Sequence, residues 1–152
     1  MDELDRKLLF LLAENARASF RELSQQVHLS PPAVAARIAR LEREGLLLGY
    51  RALLAPEQCG YPLTALVSLS MPPAREPEFT AFIAGCPQVW ECHHVAGPYS
   101  MVLRAGFSGT REMDRFVKRL QAFGKTQTQI IFSTVKDEPV LPVVEKDTLP
   151  GG

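Results

Sequence analysis

Leu4, Leu8, Leu11 and Leu12 recur at i, i+4, i+7 and i+8 with polar residues between them, so the chain opens on an amphipathic helix. Asn15-Ala16-Arg17-Ala18 interrupts the stripe. Ser19 and Glu22 then stand at capping-box spacing and predict a second, short helix with Phe20, Leu23 and Val27 on its buried face, ending near His28. Ser30-Pro31 is a third start signal: serine is a strong N-cap, and proline in the first turn lacks only an N–H that has no helical partner. Val34, Ile38 and Leu41 keep one face apolar, while Pro32, Ala33, Ala36, Arg37 and Arg40 line the other, and Gly45 closes the helix. Leu46 to Ala55 reads as an extended segment, and Ala55-Pro56 with Gly60 marks a linker.

From Tyr61 the period changes to two. Ala65, Val67, Leu69 and Met71 alternate with Thr64, Ser68 and Ser70, which predicts a strand ended by Pro72-Pro73. Phe79, Phe82 and Ile83 mark a helix closing at Gly85, and Val89 to Ala96 is a second strand. Gly97-Pro98-Tyr99-Ser100 is a turn into a third strand carrying Met101, Leu103, Ala105 and Phe107. Met113, Phe116, Val117, Leu120 and Phe123 have the spacing of a long amphipathic helix ending at Gly124, and Thr126 to Val135 is a fourth strand. The order β-α-β-β-α-β is the split βαβ of ferredoxin-like folds. The chain therefore reads as α+β, with a helical domain over 1–50, a linker strand and hinge over 51–60, and a ferredoxin-like domain over 61–152. The Pro-rich tail from Asp137 is expected to be extended, with disorder at its Gly-Gly end.

Composition narrows the class without deciding it. Lys and Arg balance Asp and Glu, so overall charge does not announce a nucleic-acid binder, but a DNA site needs only a local basic stripe. Arginine outnumbers lysine, and its planar fork suits phosphate and guanine. No apolar run is long enough to span a bilayer, and the acidic start Met1-Asp2-Glu3-Leu4-Asp5 lacks the basic region of a secretion signal. Cys59, Cys86 and Cys92 share no CxxC spacing, which fits a reducing, cytoplasmic setting.

Two short helices joined tightly to a third with a basic outer face make a helix-turn-helix. A helix lying in the major groove needs short side chains near the bases, and Pro32, Ala33 and Ala36 meet that demand. Arg37 and Arg40 lie further along, within reach of phosphates or guanine edges. The helix starts at Ser19 and Ser30 are natural phosphate partners, and Arg21 and Arg51 are candidate backbone contacts. Periodicity alone leaves a second reading open, a three-helix bundle with a solvated basic face.

Further stretches bear on that choice: Leu4-Asp5 with Leu8-Leu9, Glu22-Leu23-Ser24, Val27-His28-Leu29-Ser30-Pro31, the run Arg37 to Gly45, Gly49-Tyr50-Arg51-Ala52, Glu91-Cys92-His93, Gly97-Pro98-Tyr99 and Val135-Lys136. In order and spacing they resemble the leucine-responsive / asparagine-regulator (Lrp/AsnC) family over nearly the whole chain. The resemblance implies a winged helix-turn-helix followed by a RAM-type domain. It also implies double-stranded DNA as partner, assembly as a homodimer with tetramers or octamers built from it, and an amino-acid effector bound between dimers near Gly97, Pro98, Tyr99, Ser100 and Met101. Relatives often carry an acidic residue in that turn, where this chain has Pro98 and Ser100. The family usually has glycine in the helix-turn-helix turn, where this chain has His28; that turn calls for positive φ, which histidine tolerates better than most residues. A ligand-independent architectural role in DNA binding is the alternative.

Leu66, Val102 and Trp90 are expected on the sheet face that the helices leave open, and a second copy is the simplest cover. Glu91-Cys92-His93-His94 has metal-ligating residues, but alternation puts Cys92 with His94 and Glu91 with His93 on opposite faces, which cannot fill a tetrahedral site. Cys92 has no identified base to make it a nucleophile. Siroheme decarboxylases resemble this architecture, but their Tyr-x-Arg-x-x-Asn-x-Trp segment is absent; His93-His94-Val95-Ala96-Gly97 stands there. No catalytic residue, cofactor or metal is called for.

Overall fold

The computed structural model describes residues 1–136; the tail from Asp137, and the expectations placed on it, lie outside the described residues. The chain divides into two compact units, Met1–Leu53 and Leu54–Val135.

The first unit holds α1 (Glu3–Glu14), α2 (Phe20–Val27) and α3 (Pro31–Arg43). Each start is capped by a short polar side chain: Asp2 for α1, Ser19 for α2 and Ser30 for α3. Leu8, Leu12, Leu23, Val27, Val34 and Ile38 form the core, each burial stabilising by roughly 1.5–3 kcal/mol. α3 ends where Glu44 caps it and Gly45 turns to φ +70°, which lets the N–H groups of Leu46 and Leu47 return to the Leu41 carbonyl. Phe20, expected on the buried face of α2, is instead half-exposed. It stands at the first position of the helix and lies over a shallow apolar hollow with Ala35, Ala39 and Tyr50, while Leu23 and Val27 alone reach the core. Leu46 to Ala55 forms no strand, so the expected wing has no partner ladder among the described residues; Leu48 is 93% exposed and Leu53 80%.

The second unit runs β1 (Leu63–Ser70), α4 (Glu76–Ala84), β2 (Val89–His94), β3 (Met101–Phe107), α5 (Thr110–Gln121) and β4 (Lys125–Ile130). The sheet is antiparallel in the order β2-β3-β1-β4, the ferredoxin-like arrangement. Ala65, Val67 and Leu69 of β1 and Met101, Leu103, Ala105 and Phe107 of β3 point to one face, where Phe79 of α4, Phe116 and Leu120 of α5 and the neighbouring Phe123 cover them. β4 stops at Ile130, short of the expected Val135. It pairs antiparallel with β1, so its partner runs out at Thr64, whose carbonyl accepts the last N–H, from Ile131. β2 likewise ends at His94, where the Val95 N–H closes on the Ser100 carbonyl.

Leu66, Val102 and Trp90 are half-buried and belong to the opposite, helix-free face. The β2–β3 register slips between Val89 and Glu91, leaving Trp90 as an extra residue. Its ring lies over Gly106, where a Cβ would overlap the indole. Tyr61 meets the indole edge-on and the Arg104 guanidinium lies 5.5 Å from its centroid.

Candidate functional site

The helix-turn-helix is α2, a turn at His28, and α3. Ser19 Oγ accepts from the Glu22 N–H at 3.2 Å, and the Ser19 N–H donates to the Glu22 carboxylate at 2.7 Å. The reciprocal bonds hold that carboxyl below its usual range, the Ser19 backbone N–H contributing most. The same bonds occupy the Ser19 and Glu22 N–H groups, at the helix start expected to meet a phosphate. His28 sits in the left-handed region at φ 54°, ψ 40°, as the turn demands. Ser30 Oγ accepts from the Ala33 N–H at 3.4 Å and sets where α3 begins.

Along α3, Pro32, Ala36 and Ala39 are exposed and Ala33 is half-exposed, so the short-side-chain stripe faces outward. Arg37 and Arg40, expected on that open stripe, are turned instead onto the start of α1. Arg37 Nη1 donates to Asp2 at 2.6 Å and to Asp5 at 2.8 Å, and Arg40 Nη2 donates to both oxygens of Asp5 at 2.6 and 2.7 Å. Asp2 and Asp5 are also a reciprocal cap, each carboxylate accepting the other's backbone N–H. The Asp5 side chain is 1% exposed, while Arg37 and Arg40 keep 28% and 35%. Burial pushes the Asp5 carboxyl upward, but the Asp2 N–H and the two guanidiniums outweigh it and bring the group down to about 2. A 3.6-residue period fixes the direction of each arginine from the helix axis but not what so long a side chain bends back to meet.

Sequence reasoning passed over Arg43. It continues the stripe from Pro32 and Ala36, it is exposed, and it has no ion-pair partner among the described residues. Its spacing from Ala36 was the signal that could have found it. Arg21 and Arg51 are likewise exposed without such a partner among the described residues.

The hairpin between β2 and β3 brings together only part of its expected site. Gly97, at φ 136°, and Pro98 are exposed, and the Tyr99 hydroxyl donates to Gln127 Oε1 at 2.8 Å. Ser100 is committed elsewhere. Its N–H and hydroxyl both donate to the Leu69 carbonyl, and its Oγ accepts from the Met71 N–H at 3.4 Å. Met101, expected at the effector site, is 5% exposed and packs in the core, because the alternation along β3 that buries Leu103 and Ala105 buries it too.

Cys92 and His94 fall on the register of Leu103 and Met101, and Glu91 and His93 on that of Arg104 and Val102, so the four split between faces. Glu91 is held by Arg104 Nε at 3.0 Å, and that bond lowers its carboxyl. Burial pushes the Cys92 thiol up, away from thiolate chemistry. Among the described residues no group of three or more His, Cys, Asp or Glu is placed to hold a metal, and no helix is long and apolar enough to cross a membrane.

Residues 1–42 match the AsnC-type helix-turn-helix domain and residues 64–141 the Lrp/AsnC ligand binding domain. The leucine-responsive regulatory protein of Haemophilus influenzae is 33% identical over 143 residues, 90% of this chain and 86% of that protein. Among solved structures, a transcriptional regulator of Neisseria meningitidis in complex with L-Met superposes with a TM-score of 0.87 at 29% identity, covering 93% of this chain and 96% of the other. LrpC of Bacillus subtilis gives 0.84 at 26% identity over 90% and 97%. On the strength of both domains, matched in order, this chain belongs to the Lrp/AsnC family of transcriptional regulators.

Proposed function

We propose that this chain is a cytoplasmic, sequence-specific DNA-binding regulator that works as a dimer or larger ring and responds to an amino acid or a related small molecule. The observation that carries the DNA reading is the outward stripe of α3. Short side chains at Pro32, Ala36 and Ala39 let a backbone approach base edges closely, and Arg43 supplies a cation beyond them. With few hydrogen-bonding groups on the stripe, base readout is modest, and DNA bending and multivalency contribute the rest of the specificity. Selection of genomic fragments on the purified protein tests it: enrichment of sequences with half-sites one helical turn apart supports the reading, and an unenriched pool refutes it.

Assembly is supported by Leu66, Trp90 and Val102, half-buried on the helix-free face of the sheet, which a second copy would cover. Mass in solution reads this directly; a monomer at micromolar concentration refutes it. The effector reading rests on Gly97, Pro98 and Tyr99 at the hairpin and on the L-Met complex of the Neisseria relative. A thermal-shift panel of amino acids checks it. A stabilising member whose effect disappears in Tyr99→Ala supports the site, and no response across the panel favours ligand-independent binding to DNA.

A further inference from the structure

Ala36, Arg37, Arg40, Arg43 and Asp2 line one shallow hollow on α3, and its cations are not equivalent. Arg40 is tied to Asp5, which is buried and cannot leave without unfolding the start of α1. Arg37 is shared between that buried carboxylate and Asp2. Asp2 is 53% exposed and reaches Arg37 from the N-cap position, outside the helix proper. Arg43, on the same rim, is unpaired among the described residues. A solvent-reached anion, Asp2, thus already lies against Arg37 in this hollow, while the exposed Glu44 stands at 3.9 Å from Arg40 and does not touch Arg37.

We infer that this hollow is a binding site for one backbone phosphate of duplex DNA, and that the Asp2 carboxylate occupies the phosphate's place until DNA displaces it from Arg37. The inference rests on the DNA reading of α3 and adds what the partner meets there. A phosphate oxygen accepts from a guanidinium as a carboxylate does, in the same planar fork, so the exchange keeps the Arg37 donors satisfied. Arg43 closes on the phosphate from the other side. Asp2 then acts as a specificity-determining residue. It withholds a sequence-independent contact from loosely bound DNA and releases it only where the rest of the interface brings a phosphate close.

The test uses the full chain, a fluorescent mixed-sequence duplex several helical turns long, and anisotropy titrations across salt concentration. Asp2→Asn keeps an N-cap acceptor for α1 and removes the charge. It should bind the duplex more tightly than the unaltered chain, with a salt slope steeper by about 0.9 for each α3 engaged. The gain should therefore shrink about three- to four-fold per helix between about 50 mM and about 200 mM salt. Glu3→Gln removes the same charge one residue away without touching Arg37, and should leave the slope unchanged. In an Arg37→Gln background, Asp2→Asn should give no gain. If the Asp2→Asn gain matches that of Glu3→Gln, or survives loss of Arg37, the displaceable carboxylate is overturned while DNA binding stands. If no form binds the duplex with any salt dependence, both readings fall. A cooperative melting transition above the assay temperature establishes that each variant is folded, the Arg37→Gln forms melting lower because they lose a partner of buried Asp5.

Discussion

Asp5→Asn should destabilise the helical unit, and the loss should depend on pH in one direction only. The carboxylate is 1% exposed, accepts the Asp2 N–H at 2.9 Å and takes both guanidiniums between 2.6 and 2.8 Å. Its folded value of about 2 lies below the ordinary 3.8, so the charged form is favoured by folding. At about 1.36 kcal/mol per tenfold, that gap is worth roughly 2 kcal/mol. Because the folded value is depressed, the contribution is fully present above pH 4, about half remains near pH 3, and it is lost as pH falls towards 2. Asparagine is neutral throughout and sets an NH2 against two guanidiniums. The variant should therefore melt roughly 10 °C lower at pH 7, taking about 4–8 °C per kcal/mol for a unit of this size. The two melting curves should converge as pH approaches 2. Helical circular dichroism followed through thermal scans at several pH values reads both quantities. A difference that stays constant from pH 7 to pH 2.5 would refute the assignment of the ion pairs as the source of stability.

His28→Gly removes a left-handed non-glycine residue and should raise stability by up to about 1 kcal/mol in urea titrations, with DNA affinity unchanged. Gly106→Ala drives a methyl into the Trp90 ring; the single tryptophan should shift its emission to the red as the indole is displaced, and an unshifted spectrum contradicts the packing. Arg43→Ala should reduce the salt slope of duplex binding by about 0.9 without moving the melting temperature, whereas Arg40→Ala should lower the melting temperature because it strips a partner from buried Asp5.

Elements governed by local rules were legible in the sequence. The i, i+4, i+7 stripes located α1 and α3, the Ser19–Glu22 spacing gave the α2 cap, and strand alternation named Val67, Leu69 and Leu103 as core. The glycine-to-histidine departure at position 28 also pointed to the positive φ found there. What sequence missed was set by partners far along the chain. Arg37 and Arg40 look free by periodicity, yet their carboxylates lie 32 to 35 residues earlier. The length of β4 is fixed by where β1 starts, not by its own residues. Met101 was claimed both by alternation and by proximity to the hairpin, and alternation prevailed because the core had a place for its side chain.

The extra residue at Trp90 bears on more than the packing beneath it. β2 is an edge strand, and a bulge there breaks the regular spacing of outward N–H and carbonyl groups that an incoming strand would need. Lengthening the sheet sideways is discouraged on that border, so stacking of copies into fibres has no straight template along β2.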